Sequence, residues 1–119
     1  MPEPLLELMT LTELERRLGR ERILKVVAAQ MANGRELSRR LGALEIAPDP
    51  VLIKALAHQL AGSSGSIGLL RLSDQAVALE LAVADAGPGT LAPLVRDLRD
   101  CLDASLAVLN AQYPEIVDF

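Results

Sequence analysis

Among 119 residues there is a single histidine, His58, and a single cysteine, Cys101. A lone imidazole can serve as nucleophile or proton carrier, but one His and one Cys cannot assemble a Cys/His zinc site, an intrachain disulfide or a histidine pair. Ser63 and Ser64 follow His58 closely, yet on a helix through His58 they turn toward the core side. They cannot form a Ser-His system, which also needs an acid to orient the ring. Their expected role is to let neighbouring helices pack closely. Cys101 is expected to be a reduced, packed thiol. Histidine chemistry, if the chain performs any, rests with His58.

Placed on a helical wheel at about 100° per residue, residues 50 to 70 divide into two faces. Leu52, Leu56, Leu60 and Ile67 lie opposite His58 and are expected to be buried. Around His58 fall Val51, Lys54, Ala55, Ala61, Gly62, Gly65 and Leu69. Apart from Lys54 these are small or apolar, where an ordinary solvated face would carry Glu, Lys, Arg and Gln. One explanation is that Gly62 and Gly65 admit a neighbouring helix and His58 merely rims the contact. The other is that the glycines leave room for a partner to reach an exposed nucleophile, because a side chain one turn after His58 would cover its ring. Wheel geometry alone favours the first.

The elements that would position this face can be read from punctuation and period. Thr12 with Glu15 reads as a capping box opening a short first helix, with Leu11, Leu14 and Leu18 apolar and Gly19 ending it. From Arg20 to Leu44 the residues Ile23, Val27, Met31, Leu37, Leu41 and Leu44 keep helical period across Asn33-Gly34, which is expected to bend the helix rather than end it. Asp49 is placed to cap a third helix with Pro50 in its first turn. A fourth runs from about Leu69 to Ala84 with Leu72, Ala76, Leu79 and Val83 inward. Thr90 is expected to cap a last helix whose inward register is Leu91, Leu94, Leu98, Cys101, Ser105 and Val108, giving out at Gln112 before Tyr113-Pro114. With no alternating strand pattern, the expected architecture is all-α: an up-and-down antiparallel four-helix bundle with a short extra N-terminal helix. The chain reads as one domain over 1–119, with the bundle at about 10–112 and short flexible ends.

Composition agrees. Half the residues are hydrophobic but only Tyr113 and Phe119 are aromatic, so the core must be aliphatic. Leu, Ala, Glu and Arg, none branched at Cβ, favour helix. A net charge of −4 argues against a nucleic-acid partner, which would require a basic stripe. No run approaches the roughly 18 apolar residues of a membrane span, and Met1-Pro2-Glu3-Pro4 is acidic where a signal peptide is basic. These features lead to the expectation of a cytoplasmic protein that binds neither nucleic acid nor membrane.

The stretch Ala57-His58-Gln59-Leu60-Ala61-Gly62-Ser63-Ser64-Gly65-Ser66-Ile67-Gly68 resembles the signature of histidine phosphotransfer (HPt) domains of multistep bacterial phosphorelays, commonly H-x-L-K-G-S-S/A with an apolar residue and Gly further on. The likeness extends to the helix layout over about residues 10 to 112. It implies that His58 is a phosphoacceptor, taking a phosphoryl group from an aspartate of one receiver domain and passing it to another through Nε2. It further implies that Gly62 provides steric access and that Val51, Ala55, Ala61, Gly65 and Leu69 form the docking surface. The implied partners are response-regulator receiver domains and a hybrid or sensor histidine kinase. No cofactor is expected on this chain, since Mg2+ would sit on the receiver, and the protein would be a monomeric phosphocarrier rather than an enzyme.

Ala61 departs from the family, which usually carries Lys there. Lys54, one turn before His58, is the first candidate to neutralise phosphoryl charge in its place, and Arg71 a weaker one; equally, Lys54 is only a solvating lysine. Glu80 falls where related domains often place a polar residue that bonds the histidine's other nitrogen and fixes its tautomer. It could as well be an ordinary surface glutamate. The missing lysine keeps two alternatives open: an HPt-shaped adaptor that docks a receiver or kinase without accepting phosphate, and a helical dimerisation module.

Overall fold

A computed structural model describes residues 4–116. The acidic start at Met1 to Glu3 and the terminal Phe119 lie outside the described residues, as do the outermost parts of the expected flexible ends. The chain forms five helices: α1 (Leu8–Leu18), α2 (Arg20–Ile46), α3 (Pro50–Ser66), α4 (Leu70–Ala82) and α5 (Pro88–Gln112). No strand occurs among the described residues. The principal packing is α3 on α4 and α2 on α5, with α1 laid against α2. Long helices give a rod of 45 × 30 × 21 Å and a radius of gyration of 14.5 Å, above the roughly 13 Å of a rounder domain of this length.

The start of α3 follows from local chemistry. The Asp49 carboxylate accepts hydrogen bonds from the amides of Val51 and Leu52 at 3.0 and 3.3 Å. Pro50 takes a first-turn position where its missing N–H is no loss. Two other expected caps are displaced. Helix α1 begins at Leu8, and its cap is Glu7, which accepts from the amides of Met9 and Thr10 and from the Thr10 hydroxyl at 2.6 Å. These bonds satisfy two of the first-turn donors, well ahead of Thr12. Helix α5 begins at Pro88, capped by Gly87 without a side-chain bond; proline presets helical φ, so the helix opens before Thr90 can cap it.

The core is almost wholly aliphatic, as the composition requires, but Tyr113 joins it, with the Arg20 guanidinium 5.1 Å from its ring centroid. In α5 the buried row is Leu91, Val95, Leu98, Leu102, Ser105, Leu106 and Leu109, with Cys101 at its edge, and it continues past Gln112 to Tyr113. Leu91, Leu98, Cys101 and Ser105 are buried as expected, while two positions move on by one residue: Val95 and Leu109 are buried in place of Leu94, which is half-buried, and Val108, which is exposed. A strict heptad drifts by roughly 20° per repeat on a straight helix, and the true stripe takes up that drift. Helix α2 runs unbroken through Gly34, which is buried with Leu106 of α5 against it; a Cβ at Gly34 would lie 2.8 Å from Leu106 Cδ2.

The N-terminal segment is docked rather than loose. Glu7 N donates to Gly68 O at 2.7 Å and Arg71 N to Pro4 O at 3.2 Å, tying residues 4–7 to the α3–α4 corner. Gly68 turns that corner with φ +87°, and a Cβ there would meet Glu7 O at 2.6 Å.

Candidate functional site

Helix α3 buries Ile53, Leu56, Ala57, Leu60 and Ser64, which sends His58 to the opposite face with its side chain 77% exposed. Helix α4 buries Leu72, Ala76 and Leu79, and the following residue, Glu80, turns toward α3. Its Oε2 lies 2.9 Å from His58 Nδ1, and the Glu80 side chain is only 23% exposed. The carboxylate is tucked into the seam between the helices while the ring stands outside it. An ionised carboxylate only accepts, so Nδ1 carries the proton in this pair. The neutral ring then has its lone pair on Nε2, the nitrogen not occupied by Glu80.

The ground around the ring is open. A Cβ at Gly62, one turn after His58, would meet nothing within 4 Å. Val51 and Ala55 are exposed and Ala61 is half-buried. Lys54 is exposed one turn before His58 and has no ion-pair or hydrogen-bond partner among the described residues.

Two expected placements change, Leu69 and Leu52, and at Gly65 the neighbouring helix is identified. Leu69 is buried at 3% exposure, because α3 ends at Ser66 and the left-handed Gly68 turns the chain inward, so a wheel drawn through residue 66 no longer describes it. Gly65 remains exposed but abuts α4: a Cβ on it would lie 3.3 Å from Ser73 Oγ. Leu52, assigned to the core, is 53% exposed, and the first-turn core contact falls instead to Ile53. Val83, expected inward, is partly buried against the core.

Arg71 does not belong to the imidazole's face. It is in the α4 row with Gln75, Ala78 and Ala82; the last three line the groove toward α5. Arg71 acts electrostatically on Cys101. Burial pushes the Cys101 thiol up from its ordinary value, opposed by Ser105 and Arg71, which keeps it a neutral packed group. Among the described residues, no group of three or more His, Cys, Asp and Glu side chains gathers to hold a metal, and no helix is long and apolar enough to cross a membrane.

Two exposed apolar residues of α4 escape a reading of α3 alone: Val77 and Leu81. They flank Glu80 at positions −3 and +1, off the buried 72/76/79 row. That offset is visible in the sequence once Glu80 is assigned to the imidazole.

The Hpt domain family profile matches residues 9–108. No curated protein matches the chain. Among solved structures, the crystal structure of histidine-containing phosphotransfer protein B (HptB) from Pseudomonas aeruginosa PAO1 is similar with a TM-score of 0.77, over 94% of this chain and 93% of that one. The two are 18% identical in sequence, so the likeness is one of fold.

Proposed function

The chain belongs to the Hpt domain family, and from that premise we propose that it carries a phosphoryl group on Nε2 of His58 between receiver-domain aspartates in a phosphorelay. The observation that carries this reading is the division of labour on one ring: Nδ1 is engaged by Glu80 at 2.9 Å, and the ring is exposed beside the open ground at Gly62. In the proposed step the Nε2 lone pair attacks the phosphorus of an aspartyl phosphate. The N–P bond forms, the acyl O–P bond breaks, and the receiver's carboxylate leaves with the bond's electrons. The ring gains positive character, which the Glu80 carboxylate offsets while Nδ1 keeps its proton. Reversal onto a second receiver's aspartate completes the relay. In-line positioning and charge balance suffice for such transfer, and a Mg2+ ion on the receiver would supply the rest of the neutralisation.

The proposed partners are receiver domains and a hybrid or sensor histidine kinase, met by a monomer in the cytoplasm. Incubation with a phosphorylated receiver should yield an acid-labile, base-stable adduct on the wild type and none on His58→Gln. A wild type left unlabelled by every receiver of its cell would overturn the reading. Ala61 favours a second one, a docking module that accepts no phosphate. In that case His58→Gln would leave both receiver affinity and downstream output intact.

A further inference from the structure

The contact between His58 and Glu80 has a counterpart two turns away on the same seam. On α3, Gly65 follows His58 by seven residues; on α4, Ser73 precedes Glu80 by seven. Seven residues are about two turns and about 10.5 Å of rise, so each pair of positions shares a helix face. The helices run antiparallel, and the two contacts stack along one line. At the lower contact a Cβ on Gly65 would lie 3.3 Å from Ser73 Oγ, tighter than ordinary van der Waals packing. Ser73 is held there because its hydroxyl donates to Ala61 O at 2.9 Å, a bond from α4 into the turn of α3 that follows His58.

We infer that Gly65 and Ser73 are positioning residues that set the spacing and axial register of α3 and α4 so that the Glu80 carboxylate reaches His58 Nδ1. The Ser73 bond fixes how far α4 has slid along α3, and the bare Cα of Gly65 fixes how close it comes. Glu80 has little freedom to compensate, since its side chain is mostly covered. A helix held slightly farther away by a methyl group at 65 carries Glu80 away from the imidazole, and Nδ1 loses the partner that holds its proton. This inference rests on the proposed role of His58 only for its effect on rate; its effect on the ring's tautomer stands apart from phosphotransfer.

The test is the tautomer of His58, read from ¹⁵N chemical shifts of the labelled full-length protein at a pH where the ring is neutral, beside the rate of transfer from a phosphorylated receiver. Gly65→Ala and Ser73→Ala should each lower the fraction with the proton on Nδ1 and slow transfer by about tenfold, in the range that small misplacements cost. The double variant should be no slower than Ser73→Ala alone, because the methyl group no longer meets a hydroxyl. Alanine is the better helix former, so Gly65→Ala should melt no lower than the wild type; a lost proton position at undiminished stability is not what a merely structural glycine would give. Glu80→Ala is the control and must move the tautomer. If it does and both single variants leave tautomer and rate unchanged, the inference is overturned. If Glu80→Ala leaves the tautomer unmoved, the pairing itself fails and nothing remains for Gly65 and Ser73 to position. A tautomer that responds as expected in a protein that no receiver labels would uphold the positioning and remove the phosphocarrier reading instead.

Discussion

His58 Nδ1 and Glu80 Oε2 lie 2.9 Å apart across the α3–α4 seam, with the ring mostly exposed and the carboxylate mostly covered. The covered partner has the restricted position, so it orients the exposed one. At metal sites, losing the carboxylate that orients a histidine costs about 10- to 100-fold, and a loss of the same order is expected here. Glu80→Ala should therefore slow transfer to and from His58 by that order, while Glu80→Gln, whose amide oxygen can still accept from Nδ1, should slow it less. Single-turnover rates with one phosphorylated receiver measure both. Equal rates for wild type and Glu80→Ala would strip Glu80 of its role.

Gly62→Gln separates access from folding. A Cβ at Gly62 meets nothing within 4 Å, so the substitution should leave the bundle intact and add up to about 1 kcal/mol of helix propensity. The new side chain projects one turn from the imidazole. Circular dichroism and thermal melting should match or exceed the wild type, with transfer falling to background; full transfer would show that the open ground beside His58 is not an approach path.

Much of this arrangement was legible in the sequence because local chemistry decides it. Asp49-Pro50 sets where α3 begins, and that start together with helical period sends His58 outward. The wheel failed where the helix failed: nothing before residue 66 announces that Gly68 takes a left-handed turn and buries Leu69. At Gly65 the small residue announces that a neighbouring helix can come close, and that is as far as the sequence goes. A wheel shows which face a residue occupies but not which neighbouring helix faces it, and the facing Ser73 is fixed only by the antiparallel register of α3 and α4. Capping misled at α1 because Thr12-Glu15 and Glu7-Thr10 offer similar groups at the same spacing. The docking of residues 4–7 on the α3–α4 corner supports the earlier start.

Gly68 should be intolerant of any side chain. Its φ of +87° and the 2.6 Å approach to Glu7 O mean that Gly68→Ala incurs both backbone strain and a backbone clash. Strain of this type costs about 1–3 kcal/mol. Denaturant unfolding should show that loss, and hydrogen exchange should quicken at the Glu7 amide, which donates to Gly68 O. An alanine variant as stable as the wild type would mean that the corner relaxes at no cost.

The Glu7 cap makes part of the stability pH-dependent. Hydrogen bonds from the Thr10 hydroxyl and then the Met9 amide hold the Glu7 carboxyl below its ordinary value of 4.5. A carboxyl with a lowered folded pKa contributes stability above its unfolded value and loses it as pH falls through the folded one. Glu7→Gln should melt lower than the wild type at neutral pH, and the gap should close in acid below about 4.5. Melting curves across that range test the sign; a gap that widened in acid would contradict it.

The absent lysine at position 61 makes the electrostatics of the site adjustable. Lys54 is exposed, is not engaged by any acid among the described residues, and lies one turn from His58 on the side opposite Ala61 along α3. A solvent-exposed cation near a phosphoryl group is worth on the order of 1 kcal/mol, since water and salt screen it. Lys54→Ala should thus slow transfer several-fold, Ala61→Lys should speed it or lengthen the life of the phosphohistidine by a similar factor, and the two together should approach the wild type. The effects should shrink as salt is raised, because the interaction is screened over about 10 Å at 0.1 M ionic strength. Transfer rates and phosphohistidine half-lives for the four proteins at two salt concentrations decide the matter. If Lys54→Ala is neutral and Ala61→Lys still accelerates transfer, the site operates with no substitute cation and Lys54 only solvates its face.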